Sequence, residues 1–133
     1  MNISICYDEA EKAVIATPAD EINNENVRLA ASKALELSRE HDCRRILFDI
    51  RKCTIGQTQI EAFFFMKEMG EKAGFSVEQR IAIVYDPELY PAERAEFIEN
   101  VVVNRVNPPF RMFTSMGEAL RWLKRTDEDQ GIE

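Results

Sequence analysis

Apolar residues recur along this chain in two rhythms. Residues 3–7 (ISICY) and 13–17 (AVIAT) are short β-prone runs separated by the polar stretch 8–12, and they read as an N-terminal hairpin. Residues 45–50 (RILFDI) and 80–85 (RIAIVY) are instead almost continuously apolar, the pattern of strands buried on both faces. Phe110–Phe113 forms a short last strand. Between these runs the spacing turns helical. Pro18 closes the second strand, and Asn23 or Asn24 caps a helix reaching about His41. Its buried face is marked by Val27, Ala30, Ala31, Ala34 and Leu35.

The third strand ends at Asp49 and is followed by a loop in which Gly56 is expected to form a tight turn. Thr58-Gln-Ile-Glu61 is a capping box, opening a second helix that reaches about Lys72 with Gly74 as its C-cap. Asp86-Pro87 and Tyr90-Pro91 open a third helix, which runs to about Arg105 and is stopped by Pro108-Pro109. Ser115 to Glu118 is a second capping box, starting a final helix over 116–125. The predicted order is β-β-α-β-α-β-α-β-α. Such alternation implies an α/β fold with a mixed, mostly parallel sheet and helices packed around it. One domain is expected over residues 1–126, followed by an acidic flexible tail at 127–133.

Wheels drawn at about 100° per residue sharpen the two middle helices. On the second, Ala62, Phe63, Met66, Met69 and Ala73 share one face, which should be core. Ile60 and Phe64 fall away from it among Lys67, Glu68 and Glu71, with Phe65 at the margin. On the third, Ala95, Ile98, Val102 and Val106 share the core face, while Phe97 and Val101 fall off it. Each off-face pair is four residues apart and forms one patch, available to a neighbouring helix, a second subunit or a lipophilic ligand.

Composition narrows the function classes. The net charge is −7, but four acids lie in the last seven residues; the remainder carries 17 basic and 20 acidic residues. The acidity thus favours solubility, and no basic excess exists to bind nucleic acid. The basic pairs Arg44–Arg45, Arg51–Lys52 and Lys124–Arg125 read as solvated ends of strands and helices. No apolar stretch reaches the roughly 20 residues of a membrane helix, and the first residues lack a signal peptide's pattern. Three widely spaced cysteines, Cys6, Cys43 and Cys53, suit reduced thiols in the cytoplasm.

Catalytic readings find little support. The single histidine, His41, falls at a helix end, where it complements the helix dipole. It has no nameable orienting partner for a Cys–His pair. The cysteines and His41 lack metal-site spacing, and no glycine-rich phosphate loop occurs. The expectation is therefore no catalytic residue, no metal and no cofactor.

The strand RILFDI, the Gly-Gln-Thr helix start, RIAIVYD, the Ala-Glu-Arg-Ala helix and FRMFTSMGEALRWL together resemble a bacterial STAS-like family over nearly the whole chain. That family includes the anti-sigma-factor antagonists and the cytoplasmic domains of sulfate transporters. This branch is also grouped with the CRAL-TRIO lipid-binding fold. The resemblance implies a four- or five-stranded mixed sheet surrounded by helices. In the antagonists, a Ser or Thr at the start of the helix after the third strand is phosphorylated by a partner kinase, which corresponds to Thr58. Those members carry an Asp-Ser-Ser-Gly-like stretch there, whereas this chain reads Gln57-Thr58-Gln59-Ile60.

The leading expectation is a non-enzymatic cytosolic binding or regulatory domain acting through protein–protein contact. It would be a homodimer, with a possible regulatory protein partner, through Ile60, Phe64, Phe65, Phe97 and Val101. The alternative is a small lipid- or apolar-metabolite-binding module whose pocket is lined by Phe63, Met66, Met69 and Tyr85. A third reading is a phosphoswitch at Thr58, although an N-cap threonine is explained by helix capping alone.

Overall fold

The central runs RILFD and RIAIV are too apolar to tolerate water on either side, and the chain resolves this by placing them in the middle of one sheet. The structure, a computed structural model, describes residues 3–19, 21–56, 58, 60–61, 79–102 and 110–132; for 101–102, 110 and 125–132 it describes the backbone alone. The strands are β1 (Ile3–Asp8), β2 (Ala13–Pro18), β3 (Arg45–Asp49), β4 (Arg80–Val84) and β5 (Phe110–Phe113). The helices are α1 (Asn24–Glu40), α2 (Ala92–Val102) and α3 (Met116–Ile132). The strands lie in the order β1-β2-β3-β4-β5. Only β1 runs antiparallel to its neighbour; β2, β3, β4 and β5 are mutually parallel.

Register sorts the side chains into two faces. Val14, Ile46 and Ile81 are aligned across β2, β3 and β4, and Ala16, Phe48 and Ile83 form the next row on that face. This face joins Ala34 of α1 with Ala95 and Ile98 of α2 in the larger core cluster. On the opposite face Leu47, Ala82 and Val84 pack with Ala119 and Leu123 of α3. α1 lies against β1, β2 and β3, whereas α3 lies against β3, β4 and β5. Ile46 and Leu47, adjacent in sequence and pointing oppositely, are both 0% exposed.

Local chemistry sets the helix limits. Asn23 is the N-cap of α1, its Oδ1 accepting from the Asn26 N–H at 2.8 Å. The expected inner face holds, with Ala30, Ala31, Ala34 and Leu35 buried and Val27 half-buried. At the other end His41 caps the helix, and Asp42 adopts φ 49°, the left-handed position usually given to glycine. The Ser115 hydroxyl accepts from the Glu118 N–H at 3.3 Å to start α3. That helix continues to Ile132 rather than ending at Arg125. No proline lies between Arg125 and Ile132 to stop it.

Ile60 and Glu61 are helical, but the rest of the expected second helix, including Phe63, Phe64, Phe65, Met66, Met69 and the Gly74 cap, lies outside the described residues. So do the expected end of the third helix at Arg105, the Pro108-Pro109 stop and the side chain of Val101.

A buried polar network closes the amino end of the sheet. The Ser38 hydroxyl donates to the Cys43 carbonyl and accepts from Gln79 Nε2 at 2.8 Å, while Arg80 Nη1 donates to the Gln79 carbonyl at 3.1 Å. Lys124 Nζ sits 2.6 Å from Glu11 Oε2, so α3 is also tied to the β1–β2 turn.

Leu47→Ala tests the two-sided burial. It is expected to cost about 2–5 kcal/mol in urea denaturation, because the central strand has no room to collapse around the lost methyls.

Candidate functional site at the carboxyl end of the sheet

Parallel strands deliver their loops to one edge, and in open α/β sheets that carboxyl edge is where sites are built. Four segments arrive there, following β2, β3, β4 and β5, and the first three carry the features of the candidate site. At the end of β3, Asp49 is buried and held in a two-pronged pair with Arg51: Nε donates to Oδ1 at 2.8 Å and Nη2 to Oδ2 at 2.7 Å. The Arg51 backbone N–H adds a third bond to Oδ1 at 3.2 Å. Burial alone would raise the Asp49 carboxyl, but the Arg51 side-chain and backbone hydrogen bonds and charge outweigh it and hold the group below its usual range. The pair is a fixed strut, with Arg51 half in solvent.

The segments after β2 and β3 are stitched together just beyond it. Ile22 and Ile55 form an isolated parallel bridge, in which the Ile22 N–H donates to the Thr54 carbonyl and the Gly56 N–H to the Ile22 carbonyl, each at 2.7 Å. The sequence places Gly56 at a tight turn; its backbone is not left-handed, and it instead lets the Glu21 carboxylate approach where a Cβ would stand. Cys53 beneath is 1% exposed and its thiol donates to the Pro18 carbonyl at 3.2 Å.

The predicted capping box is formed. Thr58 Oγ1 accepts from the Glu61 N–H at 3.1 Å, and the Thr58 N–H donates to Glu61 Oε1 at 3.0 Å. The start of α1 and the helical turn at Ile60 and Glu61 thus follow loops that the Ile22–Ile55 bridge joins, and each is served by its own cap.

After β4 the chain turns on Asp86, whose Oδ1 accepts from the Glu88 N–H at 2.9 Å and whose carbonyl accepts from the Tyr90 N–H at 2.7 Å. Tyr85 and Tyr90 are buried with ring centroids 5.8 Å apart, and the Arg94 guanidinium lies 5.7 Å from the Tyr90 ring centre. Desolvation raises both phenols, with Glu99 adding to the shift at Tyr85.

The predicted residues separate on this framework. Thr58 and Ile60 are exposed at the edge, Ile60 at 66%. Tyr85 is part of the larger core cluster. Phe97, expected to stand off the core face of its helix, is half-buried and packs against that cluster. The buried stripe through Ala95 and Ile98 is broad enough to take in position 97. Sequence reasoning missed the Asp49–Arg51 pair, treating Arg51 as a solvated strand end. An acid at a strand terminus with arginine two residues on was the available signal. It also missed Leu29 and Leu89, exposed at 40% and 42%.

Reactive groups lie apart. His41 stacks on Tyr7 with centroids 4.0 Å apart and planes within 5°, at the amino end and away from Cys53. Cys43 is buried, its sulfur within 3.4 Å of the Lys12 carbonyl and 3.3 Å of the Arg45 carbonyl. Among the described residues no three His, Cys, Asp or Glu side chains converge to hold a metal ion, and no helix is long and apolar enough to cross a membrane.

No protein-family model matches the chain, and no curated protein matches it. A solved structure is similar over 92% of each chain at 19% identity, with a TM-score of 0.55: an uncharacterised protein from the DUF3478 family with a SpoIIAA-like fold, from Shewanella loihica PV-4. The present fold is SpoIIAA-like, as the resemblance to the antagonists implied.

Asp49→Asn should cost about 1–3 kcal/mol at neutral pH, because a charged acceptor is lost from three hydrogen bonds. The native carboxyl titrates below its unfolded value, so its contribution is complete above roughly pH 4–5 and fades as pH falls through the native titration. Urea melts of both proteins from neutral to acid pH should show the gap closing. Thr58→Ala should lower stability by about 1 kcal/mol through loss of the cap, read by the same melts.

Proposed function

We propose that this chain is a non-enzymatic, cytosolic regulatory domain that binds a protein partner at the carboxyl end of its sheet. One observation carries this reading. Among the described residues the exposed large hydrophobics are Leu29, Ile60 and Leu89, and they stand on the three segments that follow β2, β3 and β4. An apolar centre with a polar rim is what a protein interface requires, and Thr58, Glu61 and Arg51 are exposed along the same edge to supply the rim. The locked Asp49, the buried and hydrogen-bonded Cys43 and Cys53, and the distant His41 support binding over catalysis.

Thr58 suits regulation of that contact. A phosphate on its hydroxyl would enjoy the helix N-terminus but face Glu61, the other half of the capping box. Modification would therefore exchange a neutral hydroxyl for concentrated negative charge at the rim of the apolar surface, beside Ile60.

Photo-crosslinkers placed at positions 60 and 89 in the native host should trap the same protein, while one at Arg39, in the last turn of α1, should not. Ile60→Glu and Leu89→Glu should each weaken binding of that protein by roughly tenfold or more, a cost of about 1.4 kcal/mol. Equal trapping at position 39 would overturn the reading. Release of a defined apolar compound from purified protein, with no trapped partner, would move the function to ligand binding.

A further inference from the structure

We propose that β1 is a self-association edge, pairing antiparallel with β1 of a second copy to make one ten-stranded sheet. β1 ends the strand order, and among the described residues nothing pairs with its outer side. Exposed strand edges are usually guarded by proline, lysine, a bulge or a short length. Residues 3–8 (ISICYD) carry none of these: the strand is six residues long and is matched one-to-one with β2 from Ile3 to Asp8. The opposite edge, β5, is only four residues long and carries Arg111.

The side chains select a second copy as occupant, because the strand is complementary to itself. Facing residues in an antiparallel pair share a sheet face. The apolar face therefore meets its own kind only in registers where the two facing numbers add to an even value. In the register centred on Ile5, Ile5 faces the partner's Ile5 and Ile3 faces the partner's Tyr7. That joins half-buried apolar side chains into one continuous row on the α1-covered face. On the other face the exposed Ser4 meets the partner's exposed Cys6. The two Asp8 carboxylates fall at opposite ends of the seam. Six residues of strand, about 20 Å, separate them, well beyond the roughly 8 Å screening length, so the chain's net charge of −7 is not concentrated there. Centring on Cys6 instead would pair fewer apolar residues and set Asp8 against the partner's Ser4. The two-fold also brings both α1 helices onto the same face of the joined sheet. Five facing residues per strand bury less than the roughly 800 Å² per partner of a standard interface, so the dimer is weak and concentration-dependent.

Sedimentation velocity over a wide concentration range should show reversible dimerisation of the wild-type chain. The double variant S4K/C6K changes only exposed positions and sets lysines against each other across the seam. It should raise the dimer dissociation constant roughly tenfold or more while leaving the far-ultraviolet circular dichroism unchanged. Ser4→Cys places a thiol opposite the partner's Cys6. Under a mild thiol oxidant it should form covalent dimer much faster than the wild type, and the additional change Cys6→Ser should abolish that gain. A wild type that stays monomeric at every concentration would overturn the proposal. So would a dimer indifferent to S4K/C6K, equal cross-linking with and without Ser4→Cys, or a dimer that dissociates only on Ile60→Glu. That last result would leave the carboxyl-end surface intact, so the two proposals fail separately.

Discussion

The whole molecule depends on keeping β3 and β4 dry on both faces. Adjacent residues on these strands point in opposite directions, yet Ile46, Leu47, Ala82 and Val84 are all at 0% exposure. A two-sided apolar strand can be satisfied only by neighbours in the sheet and cover above and below. Parallel pairing supplies the neighbours and requires a crossover between each pair of strands. Helices α1 and α2 meet one face and α3 the other, so the remaining elements are placed by where β3 and β4 need them.

The two ends of the sheet are finished differently. At the amino end Ser38, Cys43, Gln79 and Arg80 satisfy one another in a buried network, as interior polar groups must. At the carboxyl end the chain anchors its loops individually, through the Asp49–Arg51 pair, the Ile22–Ile55 bridge and the helix caps. The backbone there is well supported while Leu29, Ile60 and Leu89 remain outside. These anchored loops are the framework on which the proposed docking surface rests.

The reactive side chains that are described lie apart. A nucleophile needs a base within reach and an oriented third group, but Cys53 and His41 lie at opposite ends of the sheet. Cys53 donates to a carbonyl and His41 lies flat on Tyr7. Cys6 alone among the cysteines is exposed, on the strand that ends the sheet.

Much of the architecture was legible in the chain itself. Continuous apolar runs marked β3 and β4, Asn23 and Thr58 announced helix starts, and the SpoIIAA-like fold agreed with the expected order of elements. These features are legible because they are local: a cap is satisfied within three residues, and a twice-buried strand has no polar alternation. The site was less legible. That Phe97 turns inward, that Glu21 rather than a tight turn explains Gly56, and that Asp49 is neutralised by Arg51 depend on what the fold brings alongside each residue. The hydrophobic pattern by itself determined that β3 and β4 had to be buried and which face of α1 turns inward. Only the tertiary structure decided which exposed apolar residues share an end of the sheet, because that neighbourhood is made by parallel strands far apart in the chain.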